Sequence, residues 1–195
     1  MLLGMSQLFS GVVSVRRLTV VVLSMVSVLL AACGGSQGQK LASEQEAVFQ
    51  AAVQPSDIAG FQQLGPIYAG GLPSREQLKR FAAKGVATVI DFRKPSEGLI
   101  QEQEALSALG VNYVNIPLGR ELASPEAQEK FAQVFAAAKG EKVLLHCRSG
   151  NRVGMVWSLY QISNGVDAEL AIEQGRAMGM KSGFEKAVRA SITKE

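Results

Sequence analysis

The sequence is poor in histidine and cysteine, and its part after residue 32 has no block of basic residues. It has one histidine, His146, and two cysteines, Cys33 and Cys147, among 195 residues. A structural zinc site takes four cysteine or histidine ligands, so we expect no metal. No block of basic residues occurs after Arg16 and Arg17, without which the net charge of +3 becomes about +1. We therefore expect no nucleic-acid partner.

Acidic residues and lysine are absent from residues 1–32. Arg16 and Arg17 precede the apolar run 18–32, which ends in small side chains before Cys33. A basic start, a short apolar core and small residues at the end are typical of a secretory signal peptide. The alternative is a membrane-spanning anchor, which needs about 20 apolar residues. The sequence favours a signal peptide over residues 1–32.

The four residues 30–33, "LAAC", resemble a bacterial lipobox. That resemblance implies cleavage before Cys33 and acylation of its sulfur and of the new amino terminus. Several acyl chains hold a protein stably on a membrane. Residues 33–40 are then an acylated cysteine and a Gly/Ser/Gln tether. The expected location is the bacterial cell envelope and, with Gly34 after the cysteine in a Gram-negative host, the outer membrane facing the periplasm.

An acylated Cys33 leaves Cys147 as the free thiol of the domain, with no partner for a disulfide bond. A free thiol in an oxidising compartment is open to oxidation. Two interpretations follow: Cys147 is buried and inert, or it is present in order to react.

Residues 41–195 form the predicted folded domain. Residues 41–64 are weakly patterned and indicate a helix and a loop at its edge. From Pro66 onward, apolar β-branched runs alternate with helical patterns that often end in glycine. This order predicts an α/β fold with a mostly parallel central sheet of four to five strands and helices on both faces. Ligands of such sheets bind beyond the carboxyl ends of the strands.

The stretch "HCRSGNRVG", residues 146–154, follows the last predicted strand. A strand, a turn and a helix start place several backbone N–H groups around one point, and such groups bind anions. A cysteine in these surroundings, close to guanidinium groups, is favoured as a thiolate. Arg152 can donate two hydrogen bonds to an oxyanion, and Gly150 permits a positive φ. His146 should face away from Cys147, because neighbouring residues of a strand point to opposite faces.

The sequence here resembles the cysteine-dependent phosphatases of the tyrosine and dual-specificity type, and most of all the bacterial branch of β-lactamase-hydrolase-like and NAD-kinase-associated phosphatase domains. The similar segments are "IYAGGLPSREQLKRFAAKGVATVIDFR", "YVNIPL", "HCRSGNRVG" and "AELAIEQGRAMGM". The resemblance implies a hydrolase without cofactor in which Cys147 accepts the phosphoryl group and Arg152 binds its oxygens. The binding loop it implies consists of Arg148, Ser149, Gly150, Asn151 and Arg152. The substrate would be a phosphorylated protein or a small phosphate ester.

Two features leave other chemistries open. Four residues separate Cys147 from Arg152 where the wider superfamily has five, and Val153 replaces the usual hydroxyl residue. The segment "CRSGNR", residues 147–152, also resembles the active-site loop of rhodaneses. These enzymes take sulfur from a sulfane-sulfur donor and carry it as a cysteine persulfide. A third reading is an anion-binding module without catalysis.

A general acid is expected after the "IPL" strand, where the family usually has aspartate. This chain has Glu121 there, which is either the acid or a solvated surface charge. Asp91, beside Arg93 at a strand end, is expected to hold the loop rather than to catalyse.

Overall fold

The computed structural model describes residues 51–193, which all fall in the second of two units, Ala47–Glu195. The predicted signal peptide, Cys33 and the tether lie outside these residues. Within the described part of the chain, no helix is long and apolar enough to cross a membrane.

Six strands form one sheet in the order β1-β2-β3-β6-β4-β5. Their bounds are β1 Gln54–Pro55, β2 Phe61–Leu64, β3 Ile67–Gly70, β4 Val86–Asp91, β5 Asn112–Asn115 and β6 Lys142–His146. The pairs β3/β6, β6/β4 and β4/β5 are parallel, whereas β1/β2 and β2/β3 are antiparallel. The mostly parallel α/β sheet is therefore confirmed.

The expected number of strands was too low, and the described part of the segment 41–64 is not helical. It forms β1 and β2, which continue the sheet beyond β3 through tight antiparallel connections. Four-residue and two-residue strands are too short to show a clear hydrophobic period, and their pairing with β3 decides their conformation.

Within residues 51–193, six helices cover the sheet: α1 Arg75–Ala83, α2 Ile100–Ala108, α3 Pro125–Ala137, α4 Asn151–Ser163, α5 Ala168–Ala177 and α6 Ser182–Ile192. The residue pattern of 95–110 predicts one helix that ends at Gly110, but in the structure this helix is interrupted. Pro95–Glu97 is a 3₁₀ turn, and Gly98 with φ 82° separates it from α2. This break places Glu97 close to residues 147–152, where Arg152 donates to its carboxylate.

Successive side chains of the central strands point to opposite faces of the sheet and pack in two separate hydrophobic cores. Leu145 of β6 packs with the core that includes Phe131 of α3 and Trp157 of α4. Leu144, its neighbour, packs with Phe81 of α1 on the opposite face. Helices therefore cover both faces, as the apolar runs of the central strands predicted.

Side-chain caps fix where the helices begin. Ser124 accepts a hydrogen bond from the Ala127 N–H, and Asp167 accepts from Glu169 and Leu170, as expected for N-caps. Because β6 and β4 are parallel neighbours, their carboxyl ends meet at one edge of the sheet. The CRSGNR loop, residues 147–152, starts at this edge.

Candidate active site

The CRSGNR loop connects the central strand β6 to helix α4. His146 is the last residue of β6, and α4 begins at Asn151. Cys147 is 1% exposed and belongs to the core cluster beneath α4, and its N–H donates to the Gly70 carbonyl at 3.4 Å. The thiol therefore lies at the base of the loop and not at its mouth, because β3 and α4 close around it.

Gly150 gives the loop its turn into the helix. It is the N-cap of α4 with φ 81°, and a Cβ at this position would lie 2.7 Å from the Met178 carbonyl oxygen. Next to it, the Asn151 Oδ1 accepts the Lys181 N–H at 2.7 Å. The turn between α5 and α6 therefore supports the loop from outside, and only glycine fits at position 150.

The first turn of α4 supplies the N–H groups that the sequence predicted for anion binding. The first helical hydrogen bond runs from the Gly154 N–H to the Gly150 carbonyl at 2.9 Å. The N–H groups of Asn151, Arg152 and Val153 have no carbonyl one turn back within α4. The positive end of the helix dipole adds to them, so this turn attracts an anion close to Cys147.

The Arg152 side chain is fixed by four acceptors. Its Nη1 donates to Glu97 Oε2 at 2.7 Å, to the Phe92 carbonyl at 2.9 Å and to the Leu118 carbonyl at 3.0 Å. Its Nη2 donates to Glu97 Oε1 at 2.8 Å. Among residues 51–193, no oxygen accepts from the Nε–H or from the second N–H of Nη2. These two N–H groups form the forked edge from which a phosphoryl or sulfonyl group can accept.

The Arg152–Glu97 pair is electrostatically strong. Hydrogen bonds from Arg152 lower the pKa of Glu97 from 4.5 to about 2 against the opposing effect of burial. Glu97 in turn raises the pKa of Arg152, burial opposes the rise, and the Cys147 sulfur contributes to it by charge and by a hydrogen bond. The same guanidinium thus contacts both the carboxylate that orients it and the candidate nucleophile.

The first half of the loop is bound to the connection between β3 and α1. The Arg148 carbonyl accepts the Leu72 N–H at 3.3 Å, and Ser149 forms an isolated bridge with Gly71. The Arg148 side chain is exposed, and its positive charge helps to lower the pKa of Glu97. The loop therefore carries two guanidinium groups, a fixed one at Arg152 and an exposed one at Arg148.

A buried group of charged residues lies beneath the loop. Arg93 donates to both oxygens of Asp91 and forms an ion pair with Glu102. The His146 Nε2 is 3.0 Å from Glu102 Oε1 and 3.8 Å from Asp91 Oδ1. His146 thus faces these acids, as expected for a side chain directed away from that of Cys147.

Asp91 holds this group together, in agreement with the structural role expected for it. Burial pushes its pKa up, but hydrogen bonds from Arg93 and Tyr113 and the nearby His146 outweigh burial and leave the pKa below its ordinary value. Potential ligand atoms of Asp91, Glu102 and His146 lie within 4.8 Å of one another. Arg93 donates to both carboxylates, so its guanidinium already supplies the positive charge that a metal ion would bring.

Glu121, the predicted general acid, is exposed on the loop after β5. Its Oε2 accepts the Arg120 N–H at 3.1 Å. The same loop reaches the site through Leu118, whose carbonyl accepts from Arg152. Glu121 therefore lies on the segment that borders the Arg152 side chain, and its role as an acid stays a prediction.

Sequence reasoning missed Glu97 and Glu102, the two acids that hold Arg152 and Arg93. Both lie in the segment 95–110, whose pattern predicts one continuous helix. The only local signal is Gly98 after Pro95, which marks a break in a helical pattern.

A family model described as "Beta-lactamase hydrolase-like protein, phosphatase-like domain" matches residues 73–164, which include Glu97, Cys147 and Arg152. These residues are therefore similar to that family. A β-lactamase hydrolase-like protein of Xylella fastidiosa strain Temecula1 is 30% identical over 121 residues, which are 59% of this chain and 27% of that relative. The chain thus spans about a quarter of the relative's length.

Solved structures of phosphatases share the fold of this phosphatase-like domain. A DUF442 protein of Shewanella putrefaciens CN-32 superposes with a TM-score of 0.57 at 24% identity over 69% of this chain and 87% of its own. TpbA of P. aeruginosa, which was also solved as a cysteine-to-serine variant with phosphotyrosine, gives 0.59 at 23% identity over 71% and 89%. The expected resemblance to this phosphatase family and the expected cysteine-phosphatase-like fold are confirmed.

Proposed function

We propose that the domain hydrolyses phosphate monoesters through a thiophosphate intermediate on Cys147. The observation that carries this proposal is the position of Arg152: Glu97 holds one edge of its guanidinium, and the other edge stays available beside the Cys147 sulfur and the first turn of α4. Such a site binds a tetrahedral dianion by several donors at once.

The reaction proceeds in two displacements. The Cys147 sulfur attacks phosphorus, the bond from phosphorus to the ester oxygen breaks, and the leaving oxygen takes a proton from an acid or departs as the anion. Water then attacks the thiophosphate, the S–P bond breaks, and inorganic phosphate and the thiolate are released. Arg152 and the N–H groups of α4 bind the equatorial oxygens in both steps.

Glu121 is the acid we assign to the first displacement. Its loop borders Arg152 through the Leu118 carbonyl, and a proton donor accelerates such a step by about 10² to 10⁴ for a poor leaving group. Aryl esters leave more readily, so tyrosine phosphate is the preferred substrate class. The phosphotyrosine complex of the similarly folded TpbA supports this choice.

A second candidate is sulfur transfer, which the short loop and the exposed Glu121 favour. The Cys147 thiolate would attack the outer sulfur of a donor such as thiosulfate, the S–S bond would break, and sulfite would leave. The Cys147 persulfide would then pass its terminal sulfur to a nucleophilic acceptor such as cyanide. No oxygen leaving group needs a proton in this sequence.

Intact-protein mass spectrometry after a rapid acid quench distinguishes the two reactions. One sample of the full chain in detergent receives an aryl phosphate and another receives thiosulfate, with Cys147→Ser as the control. A phosphoryl adduct that is absent from the control supports the phosphatase, and a persulfide that passes to cyanide supports sulfur transfer. Phosphate binding with neither adduct would contradict both reactions and leave a binding module.

We propose further that Cys33 anchors the phosphatase to the envelope membrane after removal of residues 1–32. The lipobox-like residues 30–33 and the tether that follows them support this proposal. Membrane fractionation tests it: wild type should sediment with membranes, and Cys33→Ala should keep the unprocessed mass and lose the lipid modification. An equal mass of both proteins apart from the substitution would contradict it.

A further inference from the structure

A cavity of about 180 Å³ lies beside the CRSGNR loop, between the start of α1 and the start of α2. Leu72 and Arg75 line it on one side, and Gly98 and Gln101 line it on the other. Leu72 also contacts the CRSGNR loop, whereas Arg75 and Gln101 have no role in the site described above. A space of about 150 Å³ accommodates a benzene molecule, so this cavity has room for a short side chain or a small ring.

Contacts on two sides join the cavity to the loop. The Leu72 N–H donates to the Arg148 carbonyl at 3.3 Å, so this cavity wall is hydrogen-bonded to the residue after Cys147. On the other side, Gly98 directly follows Glu97, the carboxylate that holds Arg152. The cavity therefore borders the loop in which we propose that a phosphate ester binds.

The cavity presents one cation without a counter-ion. At its floor, Arg93 and Glu102 form an ion pair with each other. Arg75 is exposed, and among residues 51–193 no hydrogen bond or ion pair engages its guanidinium. The nearby Glu76 is paired with Lys79 at 2.9 Å.

Arg75 is also the first residue of α1, where the helix dipole adds to its positive charge. Beside it, Leu72 is 50% exposed and offers an apolar surface between the loop and the guanidinium. The cavity thus combines an apolar wall next to the phosphoryl site with an anion-binding group beyond that wall.

We propose that this cavity is a second subsite that binds an anionic group carried by the substrate close to its phosphoryl group. The proposal rests on the phosphatase function proposed above and narrows its substrate class. The anionic group is an acidic residue next to a phosphotyrosine in a polypeptide, or a second carboxylate or phosphate on a small ester. Arg75 is its specificity-determining residue.

Matched substrates test the subsite. Phosphotyrosine peptides with glutamate or glutamine at the neighbouring positions, and phenyl phosphates with and without a carboxylate, are compared by kcat/KM. Wild type should prefer the more anionic member by about fivefold, the effect of one partly exposed ion pair. If only the peptides show this preference, the anionic group belongs to a polypeptide substrate. If only the phenyl phosphates show it, the anionic group belongs to a small ester.

Arg75→Gln should bring the preference to about one, chiefly through KM. Lys79→Gln, which removes an exposed cation one turn further along α1 and outside the cavity, should retain the preference. Equal rates for matched substrates in wild type, or a preference that survives Arg75→Gln, would overturn the subsite.

Binding separates this proposal from the function on which it rests. The Cys147→Ser variant, with and without Arg75→Gln, is titrated with the same phosphopeptides and followed by fluorescence anisotropy. Selective binding that depends on Arg75, together with no turnover by wild type, would retain the subsite and contradict the phosphatase. Turnover by wild type without selective binding would retain the phosphatase and contradict the subsite.

Discussion

Replacement of Glu97 by glutamine tests whether the CRSGNR loop depends on the ion pair with Arg152. Both side chains are largely buried, with 20% of Glu97 and 12% of Arg152 exposed. The pKa of Glu97 falls from 4.5 to about 2 in the folded protein. At 1.36 kcal/mol for each pKa unit, the ionised carboxylate stabilises the fold by about 3 kcal/mol.

The sign of this contribution sets its pH range. Because the folded state lowers the pKa, the stabilisation is fully present above pH 4.5 and is lost as the pH falls towards 2. Wild type should therefore exceed Glu97→Gln by about 3 kcal/mol in free energy of unfolding at pH 7, and by progressively less below pH 4.5.

Urea denaturation of both proteins between pH 7 and pH 2.5 measures this difference. Glu104→Gln is the matched control, because Glu104 is an exposed acid of α2. Its substitution should change the free energy of unfolding by less than about 0.5 kcal/mol at every pH. A difference between wild type and Glu97→Gln that is the same at pH 7 and pH 2.5 would refute the assignment of this stability to the ion pair.

Three further substitutions test the supports of the fold. Gly150→Ala should lower the free energy of unfolding by about 2 kcal/mol or more, because the new Cβ would lie 2.7 Å from a carbonyl oxygen. Gly165→Ala is the control: it has the same φ but open space around it, and it should lower the free energy of unfolding by about 1 kcal/mol. Tyr113→Phe removes a 2.7 Å hydrogen bond to Asp91 and should cost about 1–3 kcal/mol in chemical denaturation. Phe131→Ala removes a side chain from the core beneath α4 and should lower the free energy of unfolding by about 3–5 kcal/mol. A decrease of less than about 1 kcal/mol in thermal unfolding would contradict the packing described.

The central sheet and its helices could be predicted because their signals are local. The apolar run of β4, the caps Ser124 and Asp167, and the turn from β6 into α4 each depend on residues close in sequence. The position of the CRSGNR loop follows from them, since parallel strands place their carboxyl ends together.

The remainder depends on contacts between distant residues. Glu97 and Arg152 are 55 positions apart, and no local pattern indicates that they pair. Strands β1 and β2 are defined by their partner strand, and Cys147 is buried because β3 and α4 close around it. Sequence reasoning located the loop correctly but could not identify what holds it.

The hydrogen bond from the Lys181 N–H to Asn151 determines how short a working version of this protein can be. The family match ends at residue 164, before α5 and before the turn at residues 178–181 that touches Gly150. A fragment cut at residue 164 would keep Cys147, Arg152 and Glu97 but would leave the start of α4 without its outer support. We therefore expect that a fragment needs residues beyond Lys181 to keep the start of α4 supported, and a truncation series should use that residue as its inner limit.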